Sequence, residues 1–309
     1  MTMRNRLIST LLCVLALVSL LPTAVWAQDT AATKESTLHI SYRDDGDSLE
    51  GAQFDLFLVG TVDAYGDVTA TEDFTGYDMN IAGKDTDDWR TLASTLEGYV
   101  GLTDPLPFSS ALTDETGTVS FAGLPAGLYF VRGHRLTLED KSYDTEPFMV
   151  RLPHYDSVSG QYLDEVTVQP KRYIPDGNPI TRKVLKVWDD NGNEAQRPTQ
   201  LTVHLLCNDE VYDTVTLSAE NNWRYTWENL NGYDRWTVAE EVPANYSVEI
   251  TREGITFVVR NTYVAPPPPP PPSLPQTGQL WWPVPVLAVA GLFMMAVGLL
   301  RRRGDCDEA

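Results

Sequence analysis

The sequence predicts a mainly β protein, with two tandem β-sandwiches and a short helix inserted in the first. An N-terminal export leader precedes them and a C-terminal membrane-spanning helix follows. Three observations carry this reading. Apolar and polar residues alternate in short runs bounded by Gly, Pro, Asp and Asn, the period of half-buried strands. One stretch, Trp89, Leu92, Leu96 and Tyr99, changes to helical spacing. The run from Leu280 to Leu300 carries no charge and ends at Arg301, Arg302 and Arg303.

Taken in order, residues 1–27 read as a secretion signal. Arg4 and Arg6 form the charged start, Leu7 to Leu21 the apolar core, and Val25-Trp26-Ala27 a small-residue cleavage site. The first sandwich spans 36–171. Leu38, Ile40 and Tyr42 share one strand face, and Asp44-Asp45-Gly46-Asp47 makes a turn. Ala52, Phe54, Leu56 and Leu58 share a face on the next strand. A long excursion over 60–113 contains the helix, expected over 88–99 after the caps Asp85 or Asp87. Strands resume at Val119 and Phe121, at Leu128 to Val131, at Phe148 to Leu152 and at Val166 to Val168.

Pro, Gly and polar residues over 172–180 mark a boundary, and the second sandwich spans 180–264. Its strands are expected at Val184 to Trp188, at Leu201 to Leu205, at Trp223 to Trp227, at Trp236 to Glu240 and at Ile255 to Tyr263. Residues 265–273, with seven prolines from Pro266 to Pro272, form a stiff extended spacer of about 3.1 Å per residue. The segment 274–309 holds the apolar run over 280–300, about one bilayer thickness as a helix. Trp281 and Trp282 suit one membrane interface, and the arginines hold the other end inside.

The net charge is −20 over 309 residues. Such a surface repels nucleic acid and excludes it as a partner class. Of three cysteines, Cys13 lies in the leader and Cys306 in the tail, so the mature chain has only Cys207 and no internal disulfide.

Between the spacer and the apolar run stands Leu274-Pro275-Gln276-Thr277-Gly278. Pro275 biases Leu274 toward extended backbone, a thin substrate for an enzyme groove. With the span and basic tail behind it, this segment resembles the sorting signal of cell-wall-anchored surface proteins of Gram-positive bacteria. The resemblance implies two partners. A sortase cuts between Thr277 and Gly278, and peptidoglycan, or another pilin subunit, receives the Thr277 carboxyl.

The two sandwiches carry resemblances of their own. Gly51-Ala52-Gln53-Phe54-Asp55-Leu56-Phe57 and the hairpin from Thr113-Asp114-Glu115-Thr116-Gly117 to Gly127-Leu128-Tyr129 resemble pilin-type and collagen-adhesin B-type (CnaB) domains. The second sandwich resembles the B-type repeat through Lys186-Val187-Trp188-Asp189-Asp190, Arg197-Pro198, Asn222 to Trp227, Thr237 to Glu240 and Asn261-Thr262-Tyr263. The fold implied is immunoglobulin-like.

Members of the B-type family often join a lysine to an asparagine by an intramolecular isopeptide bond, promoted by a nearby acid. Strand parity puts Asn261 with Phe257 and Val259, and Glu240 with Trp236 and Val238. Lys186 shares a face with Val184 and Trp188, Lys183 the other face with Leu185 and Val187, and parity alone does not choose between them. The family pattern Lys-x-Trp chooses Lys186, giving the expected set Lys186, Asn261 and Glu240. In the first sandwich the acid position is Gly133, and no such bond is expected there.

Val166-Thr167-Val168-Gln169-Pro170-Lys171 resembles the pilin motif, whose lysine attacks the sortase-bound Thr of the next subunit; Gln169 stands where the family usually has Tyr. Lys171 is therefore the candidate polymerisation lysine, against a plain surface lysine beside Arg172. The acidic turns at Asp44 and Asp189 lack the glycine and glutamate positions of a calcium-binding loop. His39, His134, His154 and His204 are scattered. No metal, cofactor or catalytic site is expected, which disfavours a surface-displayed enzyme acting on glycans or peptides. The expected function is structural and adhesive, with a host matrix or mucin ligand as a further partner class.

Overall fold

The computed structural model describes residues 35–63, 65–77, 79, 83–266 and 283–304. The leader, the spacer from 267 and the sorting motif 274–278 lie outside the described residues. Residues up to Val264 form one compact unit, and those from Ala265 form another.

The first sandwich begins with β1 (Ser36–Ser41), β2 (Gln53–Val62), helix α1 (Thr86–Thr103) and β3 (Ser109–Leu112). It continues with β4 (Thr118–Leu124), β5 (Gly127–Gly133), β6 (Lys141–Thr145), β7 (Phe148–Leu152) and β8 (Glu165–Val168). One sheet has the order β8-β1-β4, with β8 parallel to β1. The other runs β7-β5-β2, and β2 also pairs with β3 and with Val68–Ala70. Leu38, Ile40 and Tyr42 point into the core between the sheets, as their alternation predicts. The turn after Tyr42 has both Asp45 and Gly46 at positive φ, a conformation that suits Gly and that Asp tolerates.

Strand β2 departs from clean alternation. Phe57 and Val59 are as buried as Phe54 and Leu56, because α1 covers the outer face of the sheet. The helix is longer than the 88–99 expected from its apolar period. Asp85 is the N-cap, its carboxylate accepting the Asp87 and Asp88 backbone N–H groups while Asp88 reaches back to Asp85 N–H at 2.9 Å. This capping box satisfies orphan donors and contributes about 1 kcal/mol. Leu92, Ala93, Leu96 and Val100 pack on Phe57, Val59, Leu128 and Phe130, and each large side chain so buried stabilises the fold by about 1.5–3 kcal/mol.

The second sandwich has β9 (Ile180–Asp189), β10 (Gln200–Cys207), β11 (Glu210–Ser218), β12 (Arg224–Leu230), β13 (Trp236–Glu240), β14 (Tyr246–Glu253) and β15 (Thr256–Tyr263). One sheet has the order β12-β9-β15-β14 and the other β11-β10-β13. The first and last strands, β9 and β15, are parallel neighbours at the centre of their sheet. Val184, Val203, Leu205, Trp227, Trp236, Val238, Phe257 and Val259 form the core. Ile255, expected on the inward face of the last strand, lies before β15 and is 44% exposed.

The face of α1 turned away from the first sheet docks on the second sandwich. Thr95, Gly98 and Gly101 recur every three residues along it. A Cβ at Gly98 would overlap the Val238 carbonyl, and one at Gly101 would meet Leu206 Cδ2 at 3.0 Å. Arg235 pins the same seam, donating to Gly133 O at 3.2 Å and to Asp209 Oδ2 at 2.6 Å, with Glu97 Oε1 at 3.5 Å.

In the C-terminal unit, helix α2 covers Pro283–Gly304 and runs through the arginines; the expected start of the apolar run at Leu280 lies outside the described residues. Among the described residues, no helix is long and apolar enough to cross a membrane.

Candidate functional site

Parallel pairing of β9 with β15 sets Lys186 opposite Val259 and Trp188 opposite Asn261. Side chains two residues apart on a strand point the same way, so Lys186 and Asn261 share the inward face. Strand β13 of the facing sheet brings Glu240 between them. Lys186 is 4% exposed, Glu240 5% and Asn261 0%. Lys183 is exposed, so burial separates the two lysines that parity left equivalent.

Lys186 Nζ lies 3.3 Å from Glu240 Oε2. It donates to Val259 O at 3.2 Å and sits 4.4 Å above the Trp188 ring. Asn261 Nδ2 donates to Glu240 Oε1. Glu240 Oε2 faces the Lys186 ammonium, and Asn261 Oδ1 accepts no hydrogen bond. Burial pulls the Lys186 ammonium well below its ordinary value against the opposing charge of Glu240. Burial likewise pushes the Glu240 carboxyl up, against Lys186 and the Asn261 hydrogen bond. Both groups thus move toward neutrality, the direction that removing charge from water demands.

A second layer fixes Trp188. Its ring meets Trp223 and Tyr246 edge-on at 5.2 Å. The Arg197 guanidinium lies 5.3 Å from its centre and pairs with Asp190, which also accepts from the Tyr246 hydroxyl at 2.8 Å. Trp227 and Trp236 are core residues.

The first sandwich builds a different cluster on the outer face of its β7-β5-β2 sheet, where Arg132 lies over the Phe57 ring. Asp55 accepts from Ser110 at 2.6 Å and from Arg132 at 3.2 Å, and meets His134 Nε2 at 2.6 Å. Burial alone would raise the Asp55 carboxyl, but the hydrogen bonds from His134, Ser110 and Gln53 outweigh it and hold it well below the usual range. Ser110 and His134 both bond to Asp55 instead of to each other, so no activated hydroxyl results. At Gly133 a side chain would collide with Thr145 and Phe54.

Lys171 is exposed just past β8, its carbonyl accepting the Glu146 N–H at 3.0 Å. Its neighbour Arg172 is held by Asp44. Gln169 is exposed as well. Leu274, Pro275, Gln276, Thr277 and Gly278 lie outside the described residues, as do residues 1–27. Among the described residues, no group of His, Cys, Asp and Glu could hold a metal ion.

Tyr77 is a site residue that sequence patterning misses. It stands in the excursion, yet it packs on the core of the second sandwich, on the apolar cluster between α1 and the first sheet, and against Tyr99 at 4.8 Å. Burial raises its hydroxyl, as do Tyr99 and Glu240.

Comparison with known proteins gives two family matches. The Gram-positive pilin subunit D1, N-terminal domain, matches residues 24–173, and the Cna protein B-type domain matches 182–262. The collagen adhesin of Staphylococcus aureus is 34% identical over 91 residues, 28% of this chain. The chain spans only 8% of that protein's length. Among solved structures, a single B repeat unit of the collagen-binding surface protein of Staphylococcus aureus aligns at 16% identity and a TM-score of 0.27, over 75% of this chain and 100% of that one. The full-length major pilin SpaD from Corynebacterium diphtheriae aligns at 16% identity and a TM-score of 0.31, over 74% and 64%.

Proposed function

The chain carries a Gram-positive pilin subunit D1 domain followed by a Cna protein B-type domain, and from that premise we propose that it is a wall-anchored surface protein whose second sandwich is a stalk stiffened by an isopeptide bond between Lys186 and Asn261. Both families are structural, not enzymatic, and belong to the extracellular surface. The observation that carries the reading is the convergence of Lys186, Glu240 and Asn261 in the buried core.

The chemistry follows from that setting. A proton passes from the Lys186 ammonium to Glu240, leaving a neutral amine and a neutral carboxyl. With the Asn261 amide turned so that Oδ1 faces Glu240, the carboxyl O–H polarises the carbonyl. Nζ attacks Cγ, the Cγ–Nδ2 bond breaks, and Nδ2 leaves as ammonia carrying its own two protons and one relayed from Nζ by Glu240. Amine plus amide becomes secondary amide plus ammonia, with no oxidant. Groups held in this way reach effective molarities of about 10⁵–10⁸ M.

Leu274 to Gly278, the uncharged run 280–300 and Arg301 to Arg303 support anchoring. The membrane run holds the precursor, sortase cleaves after Thr277, and peptidoglycan receives the product. The D1 match and the exposure of Lys171 equally support a second reading, a pilin subunit polymerised through Lys171. A host matrix or mucin ligand would then meet the displayed surface.

Intact mass of the unit ending at Val264 tests the cross-link. The expected mass is short by one ammonia, with a branched peptide joining Lys186 to Asn261, and Glu240→Ala restores the full mass. An unmodified mass in the wild-type protein overturns the reading. A branch at Lys183 keeps the chemistry and moves the nucleophile.

A further inference from the structure

Each sheet of the second sandwich leaves one edge strand next to the cross-linking residues. β13, which holds Glu240, ends the sheet β11-β10-β13, and β14 ends the sheet β12-β9-β15-β14. Val248 on β14 is the register partner of Asn261. In a free-standing sandwich such edges face water. Here β13 does not: all five of its residues are buried, including Thr237 and Ala239, whose side chains point away from the Trp236–Val238–Glu240 face, while β14 is covered at Tyr246, Val248 and Ile250 and exposed at Arg252 and Glu253.

The cover comes from the first sandwich. Gly98 of α1 lies against Val238 O and Ala239 Cα. Thr95 accepts the Ile250 N–H of β14 at 2.8 Å. Leu92 and Thr95 face Val248 across a narrow crevice. Tyr77 packs on the second core and lies close enough to Glu240 for that carboxyl to raise its hydroxyl.

We propose that the first sandwich, through α1 and Tyr77, is the wall that seals the Lys186–Glu240–Asn261 chamber, so that cross-linking in the second sandwich waits for the first to dock. This rests on the isopeptide reading above. Water entering between β13 and β14 would restore both charges and leave no neutral amine to attack. It would also free β13, the strand that positions the acid. Tyr77 acts as a positioning residue: its ring fills the wall, and its hydroxyl takes no part in the reaction.

The test follows ammonia loss by intact mass in freshly expressed protein ending at Val264, with circular dichroism as a check on folding. Gly98→Ala forces α1 off the Val238 carbonyl, Tyr77→Ala removes the ring, and Tyr77→Phe keeps it. The expected result is complete cross-linking in wild type and Tyr77→Phe, and at least tenfold slower cross-linking in Gly98→Ala and Tyr77→Ala. Equal rates in all four overturn the sealing role and leave the isopeptide reading standing. No ammonia loss in wild type overturns both. If Gly98→Ala fails to fold, the Tyr77 pair carries the test, because neither change crowds the helix contact.

Discussion

The Thr95 hydroxyl accepts the backbone N–H of Ile250 at 2.8 Å across 155 residues of sequence. The same hydroxyl donates to Thr91 O at 2.7 Å, so a helix of the first sandwich completes the edge of the second. Thr95→Ala leaves the Ile250 N–H buried without a partner, at a cost of about 1–3 kcal/mol. At about 2–4 °C per kcal/mol for a unit of this size, the melting temperature should fall by several degrees. Calorimetry should still show a single transition; two resolved transitions in wild type would refute the coupling.

Asp55 should make the first sandwich acid-sensitive. Its folded value lies below the ordinary 3.8, so its contribution is present above that pH and is lost as the pH falls toward the folded value. Asp55→Ala removes the nearer carboxylate of buried Arg132, which keeps Asp209 at 3.7 Å, and should cost about 1–3 kcal/mol at neutral pH. Denaturant midpoints between pH 7 and pH 2 check both points. The variant should lose less stability than wild type over the acid range, and parallel losses would remove Asp55 as the cause.

Anchoring predicts a product ending at Thr277 and bonded to the wall. Thr277→Ala should leave the protein in the membrane or the medium. Wall fractions boiled in detergent give the answer, and a variant retained as well as wild type defeats the sorting claim.

Polymerisation predicts a ladder of covalent multimers in cells with a matching pilin sortase. Lys171→Ala should collapse that ladder to monomer. A single monomeric band from wild-type wall digests would favour the simple anchored protein.

The strand faces were legible because a period of two survives wherever one face is buried. Leu38, Ile40 and Tyr42 could be read directly, as could the inward parity of Glu240 and Asn261. The choice of Lys186 over Lys183 needed a family pattern, and in the structure burial makes the same distinction. The interface between the sandwiches was not legible. Thr95, Gly98 and Gly101 dock because they are small, and small residues carry no apolar signal. The two-sided burial of β2 and β13 has the same origin, since a covering helix erases the alternation that marks a strand. Asp85, one of the two expected caps, sets the earlier start of α1, and the helix runs on to Thr103 before Asp104 ends it in the left-handed conformation.

The parallel pairing of β9 and β15 has a consequence for how the second sandwich is born. Lys186 reaches Val259 across 73 residues, so the two central strands of this sheet are the first and the last to leave the ribosome. At about 5–20 residues per second, roughly 4–15 s separate them. During that interval β12 can pair with β9 but β14 has no partner in its sheet, and the sheet is completed only when synthesis of the sandwich is nearly finished. A chain terminated anywhere before β15 loses the middle of its sheet, not a fringe, and should go to proteolysis instead of surviving as a shortened stalk.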